Sequence, residues 1–110
     1  MESILTSIKK LLGIAEDDTH FDQDIILHIN SAFAILCQLG VGPVTGFRIS
    51  DKTTIWDDYL GDSVLTLDEV KDYIFLKVKL VFDPPTVGGV LEMMKETISE
   101  YEWRLNVAVD

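Results

Sequence analysis

The chain has 110 residues, 47% of them hydrophobic and 25% charged, which is the size and balance of one globular domain and excludes a disordered protein. Nineteen acidic against nine basic residues give a net charge of −10, which disfavours nucleic acids and anionic membranes because both are bound through clustered Lys and Arg. No apolar run is long enough to cross a bilayer, and residues 1–7 lack the leader of a signal peptide, so we expect a single cytosolic domain over residues 1–110.

The first predicted helix covers residues 3–12. Its apolar side chains recur at helical spacing, and they are Ile4, Leu5, Ile8, Leu11 and Leu12. Lys9 and Lys10 lie near its end, and Gly13 is the predicted stop. The polar stretch that follows, residues 16–20, predicts a turn.

A second and longer helix is predicted over residues 21–39. Its apolar positions follow the i, i+4, i+8, i+11 pattern, and they are Ile25, Ile26, Ile29, Phe33 and Leu36, joined by Ala32 and Leu39. Asp22 and Asp24 fall in the first turn, where carboxylates complement the helix dipole. Cys37 lies within this apolar helix, so we expect it to be a small buried hydrophobic residue.

Residues 40–53 contain three glycines and a proline, so no helix is expected there. The alternation of Val44, Phe47 and Ile49 with small or polar residues allows a short extended or hairpin segment. One or two helical turns should follow around Trp56, and Gly61 should end them.

A third long helix should begin at the sequence Thr66-Leu67-Asp68-Glu69, which matches a capping box, and run to about residue 82. Apolar residues of this helix point in nearly every direction, which leaves two interpretations open. The helix is either central and covered on all sides, or it keeps a face for a partner subunit.

The sequence Asp83-Pro84-Pro85 should break the chain, because the first proline disfavours helical geometry at the residue before it. The helical period resumes over residues 87–107 through Leu91, Met94, Ile98, Tyr101 and Leu105. The predicted fold is therefore all-α, a small bundle of about four main helices with an irregular or hairpin-like insertion near residues 40–53. Five side chains are expected in its core: Ile29, Phe33, Leu36, Ile74 and Val78.

The sequence contains no recognisable catalytic, cofactor-binding or metal-binding motif. His20 and His28 are too far apart on a helix to share a metal ion without other ligands. The acidic residues at 17, 18, 22 and 24 lack the spacing of a calcium loop, and Asp57 and Asp58 face different ways on a helix. We expect no enzyme activity, no cofactor and no metal.

Several stretches resemble the head–tail connector (adaptor) proteins of long-tailed bacteriophages and related prophages. They lie at residues 24–32, 38–43, 55–56, 73–85 and 100–106, in this order over nearly the whole chain. The most specific are the Phe-Asp-Pro-Pro break at 82–85 and the Glu-Tyr-Glu-Trp-Arg-Leu-Asn sequence at 100–106.

This resemblance implies a helical subunit in a ring of identical copies at the head–tail junction of the virion, beneath the capsid portal. Such a ring links the portal protein to the next head-completion or tail protein, and the packaged DNA passes through its centre. The resemblance implies no active site. The alternative is a free-standing helical adaptor or regulator that binds one cytosolic partner.

The candidate interaction residues are Tyr101, Trp103 and Arg104, because aromatic and arginine side chains are enriched at interface hot spots. Two interpretations are open for Trp103. Either it packs back on the second or third long helix, or the last turns of the chain dock onto the portal or a neighbouring subunit.

Overall fold

The structure, a computed structural model, describes residues 2–61 and 65–109. Its helices follow in chain order: α1 (Ile4–Leu11), α2 (Asp22–Gln38), α3 (Trp56–Leu60), α4 (Leu67–Phe82) and α5 (Gly88–Val109). Within these two stretches there is no strand, and one antiparallel bridge joins Ser3 to Ile55. The predicted all-α class is confirmed, with four longer helices and one short one.

Helix α4 lies between α2 and α5. Phe21, just before α2, meets Phe82, the last residue of α4, edge to face with ring centroids 5.4 Å apart, so these two helices run antiparallel. The predicted break at Asp83 turns the chain back, and α5 then runs antiparallel along α4. The molecule measures 35 × 35 × 20 Å, which is about two helix diameters in its thin direction.

The core forms where the inner faces of these helices meet. All five side chains predicted for it are buried: Ile29, Phe33, Leu36, Ile74 and Val78. Trp56 and Tyr73 are the largest side chains that are fully buried with them. Each large apolar side chain removed from water in this way stabilises the fold by about 1.5–3 kcal/mol before entropy is counted.

The short helix α3 is joined to α1 by buried hydrogen bonds. Trp56 Nε1 donates to Ser7 Oγ at 2.8 Å, and that hydroxyl donates to the Ile4 carbonyl oxygen at 3.0 Å. The Ile4 amide in turn donates to the Thr54 carbonyl oxygen at 3.0 Å. The indole N–H and the serine hydroxyl are both buried and both satisfied, which fixes α3 across α1.

Lys9 is buried, with 2% of its surface exposed, and it organises the turn after α1. Its Nζ donates to the carbonyl oxygens of Glu16 at 3.0 Å and Asp18 at 2.7 Å. The same atom lies 2.9 Å from Asp22 Oδ1, in an ion pair whose angle lies outside hydrogen-bond geometry. A buried ammonium group needs such partners, so Lys9 has a structural role. Of the two adjacent lysines, Lys10 is the one that faces solvent.

Of the two forms that the sequence allows for the insertion at residues 40–53, irregular or hairpin-like, the structure has the irregular one. This segment is an irregular loop, held by Asn30 of α2, whose amide group accepts from the Ile49 N–H at 2.8 Å and donates to the Ile49 carbonyl at 2.9 Å. Gly40, Gly42 and Gly46 all have positive φ near +85°, a conformation that ends helices and interrupts strands. These two hydrogen bonds from the Asn30 side chain hold the loop in place, as cross-strand hydrogen bonds would in a hairpin.

Helix α4 begins at Leu67, as predicted, but without the capping box. Thr66 has an extended backbone, yet its side chain accepts no hydrogen bond, and the Val70 amide donates to its carbonyl instead. This end of the helix is exposed at Thr66, so water can satisfy the free amide groups. Along α4, four side chains are buried and most other apolar ones are half-buried, whereas Val81 is 62% exposed.

Candidate protein-interaction surface

The outward side of α5 carries large apolar residues that the fold leaves in water. Met94, Ile98 and Leu105 face the core. The opposite side, here called the α5 outer face, consists of residues at spacings of three and four, and these are Met93, Glu96, Glu100, Trp103 and Val107. Trp103 is 66% and Met93 68% exposed, fractions unusual for such side chains in a monomer.

The structure gives the three predicted interaction residues different environments. Tyr101 is half-buried against α4 and donates from Oη to Asp72 Oδ2 at 2.6 Å. Trp103 lies on the α5 outer face, so the interpretation that it packs back on another helix does not hold. Arg104 is exposed, and its guanidinium donates to Glu100 Oε1 at 2.9 Å, one helical turn before it.

Because the last turns of α5 also hold core contacts, truncating the chain before residue 100 would not test the α5 outer face alone. Removing residues 100–110 deletes Leu105, which is 1% exposed, together with the Tyr101 hydrogen bond. It also deletes Asn106, whose Nδ2 donates to the Leu39 carbonyl at the end of α2, at 2.7 Å. Such a truncation removes core residues together with exposed residues of the α5 outer face, so substitution of single side chains tests that face more directly.

A second exposed apolar region lies where α2 begins, α4 ends and α5 begins. It includes Val81, Val87, Val90 and Phe21, which are between 39% and 63% exposed. Val81 continues the buried stripe of Val70, Ile74 and Val78 beyond the point where the fold covers it. In the sequence, apolar residues lie on nearly every side of α4, which indicates that some of them remain uncovered. This pattern does not indicate that the uncovered residues lie at the end of the helix.

A groove of about 430 Å³ separates α2 from the loop after it, here called the α2 groove. It is lined by Asn30, Ala34, Cys37, Gly46, Phe47 and Arg48. Cys37 is half-buried rather than buried as predicted, because only the loop covers this edge of α2, and its Sγ lies 3.8 Å from the Val44 carbonyl oxygen. Arg48 is exposed and has no ion-pair or hydrogen-bond partner among the described residues.

Three tyrosines, the buried Tyr59 and Tyr73 and the half-buried Tyr101, have raised pKa values. Burial raises the pKa of Tyr59 to about 12. The hydrogen bond to Asp72, followed by burial, raises the pKa of Tyr101 to about 12. Burial and the Glu102 carboxylate raise the pKa of Tyr73 further. All three hydroxyls therefore stay protonated at neutral pH, where they act as hydrogen-bond donors or packing groups and not as bases.

Two further observations limit the chemistry of the described part of the chain. Over residues 2–61 and 65–109, no group of three or more His, Cys, Asp and Glu side chains is arranged to hold a metal ion. In the same stretches, none of the helices combines the length and the apolar character that crossing a membrane requires. The imidazole of His20, one of the two histidines considered for a metal in the sequence, packs edge to face against the ring of Phe21, with ring centroids 4.7 Å apart.

Large apolar side chains on the outer surface of a folded domain, such as those of the α5 outer face, are typical of a protein that binds other proteins. A family described as "Phage connector protein" matches residues 4–110, so the chain belongs to the phage connector proteins. Membership indicates a structural connector role in the virion. Neither a curated protein nor a solved structure gives a significant match.

Proposed function

We propose that the chain is a head–tail connector subunit that assembles as a ring beneath the capsid portal and links it to the next head-completion or tail protein. The observation that carries this proposal is the family match over residues 4–110. The alternative, a free-standing adaptor that binds one cytosolic partner, has no comparable support.

The surface of the subunit fits this role. A ring subunit needs contact surfaces beyond its own core, and the α5 outer face supplies one with Trp103 at its centre. Tyr101 holds α5 against α4. Trp103 and the surface pair of Arg104 with Glu100 remain exposed, where the portal or a neighbouring subunit can contact them. A tryptophan that becomes covered on assembly is the side chain most often found at interface hot spots.

The negative charge of the chain fits a subunit that surrounds passing DNA, and it does not fit a protein that binds DNA. The net charge is −10, and several of its nine basic residues are already paired with carboxylates. A negative wall repels the phosphate backbone, so DNA can pass without being held. We propose no specific contact with nucleic acid.

Reconstitution with the portal protein encoded in the same phage genome tests this function. The purified chain should join portal rings as a ring of its own, visible by electron microscopy and countable by native mass spectrometry. Trp103→Ala should reduce this binding at least about tenfold. A chain that never joins the portal, and instead binds one cytosolic protein as a monomer or dimer, would show that the connector role is wrong.

Leu27→Ala is the matched control for this experiment. Leu27 is 59% exposed, close to the 66% of Trp103, but it lies on α2 and outside the α2 groove. Because both side chains are mostly in solvent, both variants should keep the melting temperature of the parent. A loss of portal binding in Trp103→Ala alone would then report a contact and not misfolding.

A further inference from the structure

The α2 groove lies in the one long uncharged part of this acidic chain. Between Asp24 and Arg48 there is no Asp, Glu, Lys or Arg. The outward residues of α2 in this stretch include Ser31 and Ala34, which are small and exposed. Two copies that each carry a charge of −10 repel one another, and this repulsion is weakest where one copy presents a neutral surface.

Arg48 adds a cation at the edge of this neutral groove. In the described part of the chain five of the other eight basic side chains are already paired with carboxylates, and these are Lys9, Lys71, Lys79, Lys95 and Arg104. Arg48 has no such partner. The groove is lined by the apolar Ala34 and Phe47 beside the polar Asn30 and Thr45, and it has one free guanidinium at its edge. Such a surface fits an apolar side chain that is accompanied by a carboxylate.

The α5 outer face has this chemistry. Trp103 projects into solvent, and Glu96 lies two helical turns before it on the same side of α5. Glu96 makes no ion pair among the described residues, whereas its neighbours Glu92 and Glu100 are paired with Lys95 and Arg104. The α5 outer face thus presents the large apolar side chain of Trp103 together with the unpaired carboxylate of Glu96.

We infer that the α2 groove of one subunit receives the α5 outer face of a second copy of the chain. Trp103 enters the groove between α2 and the loop, and Glu96 pairs with Arg48 of the neighbour. The volume of about 430 Å³ accommodates an indole ring, and a fully covered Trp–Arg region is the usual composition of an interface hot spot.

This contact is head-to-tail, since the groove and the helix face are different surfaces of the same subunit. Repetition of a head-to-tail contact closes into a ring when the rotation between copies allows it. The inference therefore rests on the proposed connector function and specifies the subunit contact of its ring.

Charge reversal tests the contact directly. Self-association of the purified chain is measured by sedimentation velocity over a range of protein and salt concentrations, and in parallel as the number of copies bound per portal ring. Arg48→Glu and Glu96→Arg should each weaken association about tenfold or more, because like charges then face each other. The double variant restores the opposite charges in swapped positions and should recover most of the loss.

Lys52→Glu is the matched control, because it changes the net charge by the same amount as Arg48→Glu at an exposed cation outside the groove. It should leave association close to that of the parent. Trp103→Ala should weaken association about 30-fold or more, as truncation of a hot-spot tryptophan does.

The outcomes separate this inference from the proposed function. If the charge-reversed single variants assemble like the parent, or the double variant stays as weak as each single one, the groove contact is wrong even where rings still form on the portal. If groove-dependent association is seen but no copy joins the portal, the contact stands and the connector role fails. A parent chain that stays monomeric both alone and with the portal overturns both.

Discussion

Tyr101 of α5 donates a hydrogen bond from Oη to Asp72 Oδ2 of α4 over 2.6 Å. The next residue on each helix makes the reciprocal contact, because Tyr73 Oη of α4 donates to Glu102 Oε2 of α5 at 2.8 Å. Two adjacent tyrosine–carboxylate pairs thus join these helices in opposite directions. They fix the axial register of α5 on α4, and with it the position of the α5 outer face.

The first prediction concerns alkaline pH. The pKa of Tyr101 is raised from 10.0 to about 12 in the folded protein, so above pH 10 the unfolded chain loses this proton before the folded chain does. The stabilisation is therefore fully present below pH 10 and is lost as the pH rises through about 12. Tyr101→Phe should show a shallower loss of stability over this range, measured by urea unfolding at a series of pH values. Equal slopes for the two proteins would contradict the assignment.

The second prediction separates backbone strain from close contact at two glycines. Gly42 has φ +88°, and a Cβ there would lie 2.5 Å from Tyr59 Oη. Gly40 has φ +81°, but a Cβ there would meet nothing within 4 Å. Gly40→Ala should cost about 1–2 kcal/mol of unfolding free energy from strain alone, and Gly42→Ala clearly more. Chemical denaturation of both variants measures the difference, and equal losses would mean that Tyr59 simply moves aside.

The third prediction concerns the two hydrogen bonds between the Asn30 side chain and the irregular loop. Asn30 satisfies both backbone groups of Ile49, which is itself buried. Asn30→Ala should cost about 2–4 kcal/mol, because it leaves a buried N–H and a buried carbonyl without partners. Hydrogen exchange should accelerate within residues 40–53 and little elsewhere. Ser31→Ala is the control, since the Ser31 hydroxyl is exposed and bonds only to its own helix at Leu27.

The fourth prediction compares two large side chains on α5. Leu105 is 1% exposed, whereas Trp103, two residues before it, is 66% exposed. Leu105→Ala should cost about 2–5 kcal/mol through lost packing and a cavity, and Trp103→Ala should change the unfolding free energy by less than about 0.5 kcal/mol. Thermal melting followed by circular dichroism measures both. A large loss in Trp103→Ala would show that the tryptophan is part of the subunit core.

The helices and their breaks were predictable because their causes are local. The periodicity of residues 25–36 predicts which side of α2 is buried, and the Asp83-Pro84-Pro85 sequence ends α4 through the restriction that proline places on the preceding residue. Three of the five predicted core residues, Ile29, Phe33 and Leu36, follow from the same periodicity. Such signals lie within a few residues of one another, and no knowledge of the rest of the fold is needed to interpret them.

The interactions between helices could not be predicted in this way. Nothing in the sequence indicates the partners of Lys9, Asn30 and Tyr101, yet each bonds to a segment between 7 and 29 residues away. Their partners depend on how far each helix is rotated and shifted against its neighbour, which only the packing of the whole core fixes. The exposure of Trp103 was left open for the same reason. The sequence by itself therefore determined where the helices lie and which sides they bury, while the tertiary structure decided which side chains meet across them and which remain on the surface for a partner.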